Sequence, residues 1–341
     1  MLHFDSDYME GAHPRIIERL AQTNLEQTIG YGFDEYCDAA KAKIKAACNA
    51  PSAEVFFLIG GTQTNATAID ATLKPWEGVL SAQTGHINTH EAGAIESSGN
   101  KVIGLPQTQG KVAFDTVKSY LEGFYADATN NHMVAPGMLY VSHPTEYGTL
   151  YSAAELEALS GLCHEYGMAF YLDGARLGYG LVAPGTDVGL EDIARYCDLF
   201  YIGGTKVGAL FGEALVVTNP RLADHFFTLM KQHGAVLAKG RLLGVQFDTL
   251  FTDGLYLQVA EHAVGLAAKL KAALVQAGYP LFIDSPTNQQ FVVLENAKME
   301  ELSRSATFET WEVLDSTHTV VRFVISWATR AEDVDALIAL L

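Results

Sequence analysis

Two stretches of this chain end alike. Ala169–Gly178 reads AFYLDGARLG and Leu199–Gly208 reads LFYIGGTKVG, so four apolar residues lead in each case to a polar group flanked by glycine. Asp173 and Lys206 therefore stand at the carboxyl ends of two expected buried strands, 33 residues apart, the span of one β-α-β crossover. A carboxylate beside an apolar run is costly to bury unless it meets a cation or a donor; the plain alternative is that Asp173 simply pairs with Arg176. A lysine amine desolvated at a strand end loses basicity and gains reactivity toward carbonyl carbon, the plain alternative being a surface lysine. A third strand end, FFLI, runs into Gly60-Gly61-Thr62-Gln63-Thr64-Asn65 and then ATAIDATL, which reads as a helix. There the glycines admit a ligand close to the backbone, Thr62 is placed to cap the helix, and its free N–H groups favour an anion such as phosphate. This stretch matches neither the P-loop nor the dinucleotide-binding glycine pattern. Taken together, an anion cradle, an acidic partner for a ring nitrogen and an amine for an aldehyde are what pyridoxal 5'-phosphate requires.

Such groups converge only if the strands run side by side, because ligands of open α/β sheets bind outside the carboxyl ends of the strands. Short apolar, β-rich runs recur at Val55–Ile59, Val79–Ala82, Lys101–Leu105, Met138–Ser142, Ala169–Leu172, Leu199–Ile202 and Ala214–Thr218. Between them lie segments of helical spacing, such as Ala153–Tyr166, where Leu156, Leu159 and Cys163 share a face. Strands alternating with helices imply an α/β fold with a mostly parallel, seven-stranded sheet covered on both faces. From about Leu222 the pattern turns helical. Apolar runs at Phe291–Glu295 and Val320–Ser326 and a closing helix at Ala331–Leu341 follow. The expected division is an N-terminal arm and large cofactor-binding domain over residues 1–235, and a smaller α+β domain over 236–341.

Composition narrows the classes. With 341 residues and 49% hydrophobic content, the chain can bury a large core. A net charge of -18, without any run of five basic residues, argues against nucleic acid, whose binding needs clustered Lys and Arg. No uncharged apolar stretch reaches membrane-spanning length, and acids in MLHFDSDYMEG oppose a signal peptide, so neither a membrane nor export is expected and the compartment expected is the cytoplasm. Cys37, Cys48, Cys163 and Cys197 lie far apart and read as buried thiols. His86 and His90 have helical spacing but no evident third ligand, so no metal is expected.

The ordered set FDSD, GYGFD at Gly30–Asp34, GGTQTN, GHINTHEAGA at Gly85–Ala94, YLDGAR, GGTK and VRFVISWAT at Val320–Thr329 resembles the L-threonine aldolases and related β-eliminating lyases of the aspartate-aminotransferase fold type. The resemblance covers nearly the whole chain. It implies that His86 stacks on the cofactor ring, that Arg176 lies near the cofactor's phenolic oxygen and the substrate carboxylate, that Arg322 is the main carboxylate clamp and that Ser6 assists it. Gly61, Thr62, Thr205 and Lys206 would complete the cofactor site. The resemblance further implies a homodimer, or a homotetramer built as a dimer of dimers, with shared active sites; Tyr31 would then reach the neighbouring subunit's cofactor, and Arg241 or Lys239 its phosphate. Two departures stand out. Many members carry Glu-Asn-Thr-His-Asn where this chain has His143-Pro144-Thr145-Glu146-Tyr147-Gly148-Thr149, and serine where it has Thr205.

The reaction implied is cleavage of a β-hydroxy-α-amino acid, such as L-threonine or L-allo-threonine, to glycine and an aldehyde. His86 or His132 would take the β-hydroxyl proton, since imidazole titrates near working pH. A β-eliminating or transaminating enzyme on a small amino acid would share every cofactor residue. A non-enzymatic ligand-binding module would have no use for the lysine, the aspartate and two arginines together.

Overall fold

The structure, a computed structural model, describes all 341 residues. Its centre is a seven-stranded sheet made of β1 (Glu54–Leu58), β2 (Glu77–Ala82), β3 (Lys101–Leu105), β4 (Ala135–Ser142), β5 (Ala169–Asp173), β6 (Leu199–Gly203) and β7 (Glu213–Val217). Each corresponds to one of the seven runs expected from sequence. The spatial order is β1-β7-β6-β5-β4-β2-β3, and β7 alone runs antiparallel to its neighbours.

Alternation along the strands serves two cores. Phe170 and Leu172 of β5 and Phe200 and Ile202 of β6 point into the larger core, while Tyr140, Tyr171, Leu199 and Tyr201 point into the smaller one on the other face. Helices cover both faces, as a parallel sheet requires. One of them is Ala153–Glu165, where Ser152 and Glu155 form a reciprocal capping box and Leu156, Leu159 and Cys163 are buried. All four cysteines are buried and free.

The later part of the chain forms a four-stranded antiparallel sheet of Leu281–Ile283, Gln289–Glu295, Glu309–Val313 and His318–Val324, backed by the long helix Leu255–Gln276. The helix Arg241–Leu250 packs on the helix Glu35–Ala47. The amino terminus crosses to the later sheet: Leu2–His3 pairs in parallel with Ala306–Thr307, and Phe4 O accepts the Val324 N–H at 2.7 Å. That crossing delivers Ser6, Asp7 and Tyr8 toward the ends of the large sheet.

Register decides which residues meet. Ser142 on β4 lies opposite Asp173 on β5, and Glu213, the first residue of antiparallel β7, lies opposite Gly203, the last of β6. The loops after β5 and β6 are pressed together, so that a Cβ on Gly174 would stand 1.9 Å from Tyr201 O and one on Gly203 2.3 Å from Ala175 O. Gly174→Ala therefore forces backbone apart beside Asp173. We expect a stability loss of about 1–3 kcal/mol or more, read as a lower urea midpoint at unchanged slope; a wild-type midpoint would mean that this contact does not exist in solution.

Candidate active site

Asp173 ends β5 only 4% exposed, and four donors converge on it. Oδ1 accepts from the Tyr201 hydroxyl at 2.5 Å and the Ala175 N–H at 2.9 Å; Oδ2 accepts from the Tyr140 hydroxyl at 2.6 Å and Asn65 Nδ2 at 3.0 Å. Arg176 is not among them, so the local pairing that sequence left open does not form. Asn65 also donates to Glu91 Oε1 at 2.7 Å, and the same oxygen meets His86 Nδ1 at 2.7 Å. A continuous polar chain thus runs from Asp173 through Asn65 and Glu91 to the histidine.

Asp173 and Lys206 open into one cavity of about 310 Å³, whose walls also include Gly61, Thr62, His86, Arg176 and Thr205. Lys206 makes no ion pair. Burial first, and the nearby Arg176 charge second, push its amine below the ordinary lysine range, against the pull of Asp7, Asp173 and Glu213. At one end of the cavity the helix Gly61–Thr72 begins. Its first internal bond runs from Thr64 N–H to Gly60 O at 2.9 Å, which leaves the N–H groups of Gly61, Thr62 and Gln63 without a helical acceptor. Gly60, not Thr62, is the N-cap residue, and no side chain caps this end; Thr62 lies within the first turn and lines the cavity. Also on the cavity wall, Glu213 accepts from Thr205 Oγ1 at 2.9 Å and Gly204 N–H at 3.2 Å. Burial raises its carboxyl above the ordinary range, against the pull of these two donors and of the Lys206 charge. Free helix N–H groups, an amine of lowered basicity and a fixed carboxylate in one cavity of this size fit pyridoxal 5'-phosphate.

The two arginines already have partners. Arg176 donates through Nε and Nη2 to the two oxygens of Asp7 at 2.7 and 3.0 Å, and Asn288 Nδ2 completes that carboxylate at 2.9 Å. Burial opposes ionisation of Asp7, but Arg176, Lys206 and these hydrogen bonds outweigh it and hold the carboxyl below its usual range. Arg322, expected either as a clamp or as an outward edge residue, is half-buried and turned inward. It donates to Gln289 Oε1 at 2.8 Å, pairs with Glu309 and lies over the Trp311 ring at 5.2 Å, while its Nε is buried without a partner. Arg176 depresses its basicity, second to burial, which places the two guanidinium groups within electrostatic reach. The Ser6 hydroxyl is also buried without a partner.

Ser6 and Arg322 do not themselves line this cavity, and three more expected residues lie away from it. His132 is exposed in a short turn before the amino end of β4. Eight residues of strand separate that end from Ser142, which at about 3.3 Å per residue puts His132 roughly 25 Å from the cavity. Arg241 donates to Thr23 O at 2.6 Å and Glu26 O at 2.9 Å and lies over Tyr36. Tyr31 is exposed beside Phe33 and lines a separate apolar cleft with Phe56, Phe227 and Val236. Conversely, Asp7, Asn65, Glu91, Glu146 and Glu213 belong to the site and were not singled out from sequence. Glu213 had a readable signal, an acid opening the otherwise apolar run EALVV; Asn65 lies in the first turns of the helix Gly61–Thr72, and the others sit in turns or in an arm that only folding brings near.

Comparison with known proteins agrees with the geometry. The model of the beta-eliminating lyase family matches residues 3–297. The chain belongs to this family. It is 30% identical to a low specificity L-threonine aldolase of Pseudomonas aeruginosa over 98% of this chain and 95% of that one. The threonine aldolase of Leishmania major superposes with a TM-score of 0.97 at 41% identity, covering 100% of this chain and 98% of its own. Cystalysin of Treponema denticola, which contains a pyridoxal 5'-phosphate cofactor, shares the fold at TM-score 0.73 and 15% identity, covering 100% of this chain and 90% of its own.

The buried Asp7–Arg176 pair makes a pH-dependent contribution. Because the folded carboxyl lies below its ordinary value of 3.8, that contribution is full above this value and is lost as pH falls through the folded one. Asp7→Asn strands a buried guanidinium and should cost about 3–5 kcal/mol at neutral pH. Thermal melts from pH 7 downward should show the gap between variant and wild type closing on the acid side. A gap that stays constant with pH would rule out the ion pair.

Proposed function

We propose that this chain is a pyridoxal 5'-phosphate-dependent aldolase that cleaves L-threonine, L-allo-threonine or a related β-hydroxy-α-amino acid to glycine and an aldehyde, acetaldehyde for threonine. The observation that carries this reading is the placing of Lys206 and a four-donor Asp173 on the walls of one cavity. The threonine aldolase names of full-length relatives choose among the reactions such a cavity permits.

When bound, the cofactor supplies an electron sink for breaking the bond between Cα and Cβ. Lys206 would hold its aldehyde carbon, and Asp173 would keep a proton on its ring nitrogen. His86, oriented by Glu91, would pack on the ring. Gly61, Thr62 and Thr205 would take the phosphate. Arg322 grips the substrate carboxylate, because its Nε is unpartnered and its pairing with half-exposed Glu309 can be exchanged for a substrate. Arg176 already faces a full countercharge in Asp7, so its role is to orient, with Ser6, rather than to supply the main charge.

The proposed assembly is a homodimer or a dimer of dimers. Exposed Leu25, Ile29, Tyr31 and Phe33 form an apolar strip on one segment, where a second copy would bring Tyr31, Lys239 and Arg241 toward its neighbour's cofactor. No helix is long and apolar enough to cross a membrane. A cytoplasmic enzyme of threonine breakdown and glycine formation is the proposed setting, with the division of the chain at 235/236 kept as a working boundary.

Lys206→Ala should abolish both turnover and the visible absorption of the bound cofactor; a variant that keeps both refutes the assignment. Glycine plus acetaldehyde from L-threonine is the expected product pair, and pyruvate or a keto acid would indicate a different lyase or a transaminase. Arg322→Lys replaces a planar fork by a point charge. It should lower kcat/KM by roughly five- to 150-fold, or about 1–3 kcal/mol, with the cofactor absorption unchanged. Loss of cofactor instead of substrate affinity would overturn the role given to Arg322.

A further inference from the structure

We propose that Glu146 is the base that removes the β-hydroxyl proton of the substrate. This inference rests on the aldolase reading above. Glu146 lies in the loop after β4, inside the stretch His143–Thr149 where the chain departs from many of its relatives. It lines the same cavity as Asp173, Lys206 and His86. Its Oε1 accepts the His86 N–H at 3.0 Å and the Ser142 hydroxyl at 2.6 Å. No group of the chain donates to Oε2. Since Ser142 is in register with Asp173, the carboxylate is fixed one strand away from the residue that holds the ring nitrogen.

The other acids in the cavity are engaged. Asp173 accepts four donors, and Glu213 is bound by Thr205 and Gly204. Lys206 is reserved for the cofactor. His86 is assigned to the cofactor ring, with Nδ1 tied to Glu91 and Nε2 unpartnered, and His132 lies outside the cavity. Glu146 alone combines a position on the cavity wall, two donors that hold one oxygen, and a second oxygen free to take a proton. Its surroundings favour that use. Burial raises its carboxyl above the ordinary range and the charge of Asp173 adds to this, while the Ser142 hydrogen bond and His86 pull the other way. Tyr140, Tyr147 and Tyr151 also lie within electrostatic reach, and all three stay neutral phenols because burial raises them.

In the step proposed, the hydroxyl proton passes to Oε2 of Glu146 and the O–H electron pair becomes the second bond of the aldehyde carbonyl. The Cα–Cβ bond breaks, its electron pair stays with Cα, and Cα later takes up one proton to give glycine. Nothing is oxidised or reduced overall.

The test uses the cofactor-loaded enzyme with Glu146→Gln, which keeps size and hydrogen bonding but cannot accept the proton. Two rates are compared: acetaldehyde release from L-threonine, and exchange of the glycine α-hydrogen in D2O, which involves no β-hydroxyl. General-base loss predicts that the ratio of cleavage to exchange falls by about 10²–10⁴, and that the acid limb of the cleavage pH profile disappears. Fluorescence titration of the apoprotein with pyridoxal 5'-phosphate should give a wild-type Kd. Cleavage at the wild-type rate overturns the proposal. So does a parallel fall in cleavage, exchange and cofactor affinity, since that is the signature of a residue that merely positions His86. Wild-type protein that exchanges glycine yet releases no aldehyde from any β-hydroxy amino acid refutes the aldolase reading itself, and the proposal with it.

Discussion

A carboxylate at the end of a fully buried strand is the constraint around which this molecule is arranged. Asp173 follows Phe170, Tyr171 and Leu172, all of them fully buried, and an unpartnered carboxylate in such a place would be prohibitively costly. Neighbouring strands meet the cost. Tyr140 on β4 and Tyr201 on β6 present hydroxyls from the same face of the sheet, and Asn65 reaches in from the helix Gly61–Thr72. Once Asn65 is committed to Asp173, its second amide hydrogen fixes Glu91, and Glu91 fixes the ring of His86. The position of the histidine is thus a consequence of how the aspartate is satisfied.

Charge balance extends the same logic outward. A cavity holding Lys206 and Arg176, with Arg322 nearby, would repel itself, yet each cation has an acid of its own nearby: Glu213 by Lys206, Asp7 on Arg176, Glu309 on Arg322. These partners differ in burial, and that sets their roles. Asp7 is wholly enclosed and makes a permanent pair, whereas Glu309 is 43% exposed and can give way. Asp7 arrives only because the amino-terminal arm is stitched to the later sheet through Leu2–His3 and Phe4. Both ends of the chain therefore close a site whose chemistry lies in the middle.

Much of the frame was legible without coordinates. The seven strands announce themselves as short apolar runs, since a sheet covered on both faces needs apolar residues at every position. The same rule makes a polar residue at a strand end conspicuous, which is why Asp173, Lys206 and the Gly60–Asn65 turn could be read as partners. Glu146, Glu91 and Asp7 offered no such contrast. Acids in turns and near a terminus are common, and nothing in their local sequence distinguishes a solvated carboxylate from an enclosed one. His132 failed for the converse reason: imidazole chemistry made it attractive, but it lies before β4 and the cavity lies after it.

What the sequence determined by itself was the set of strands, their mostly parallel order of connection and the chemical pair at the ends of β5 and β6, because periodicity and strand-end polarity are local properties. Tertiary structure alone decided which acid belongs to which cation. It set Asp7 rather than Asp173 against Arg176, placed Glu213 beside the lysine by running β7 backwards, and left one oxygen of Glu146 open to the cavity. Those outcomes depend on register and on contacts between residues as far apart as Asp7 and Asn288, and such distances are settled by packing, which no short window of sequence encodes.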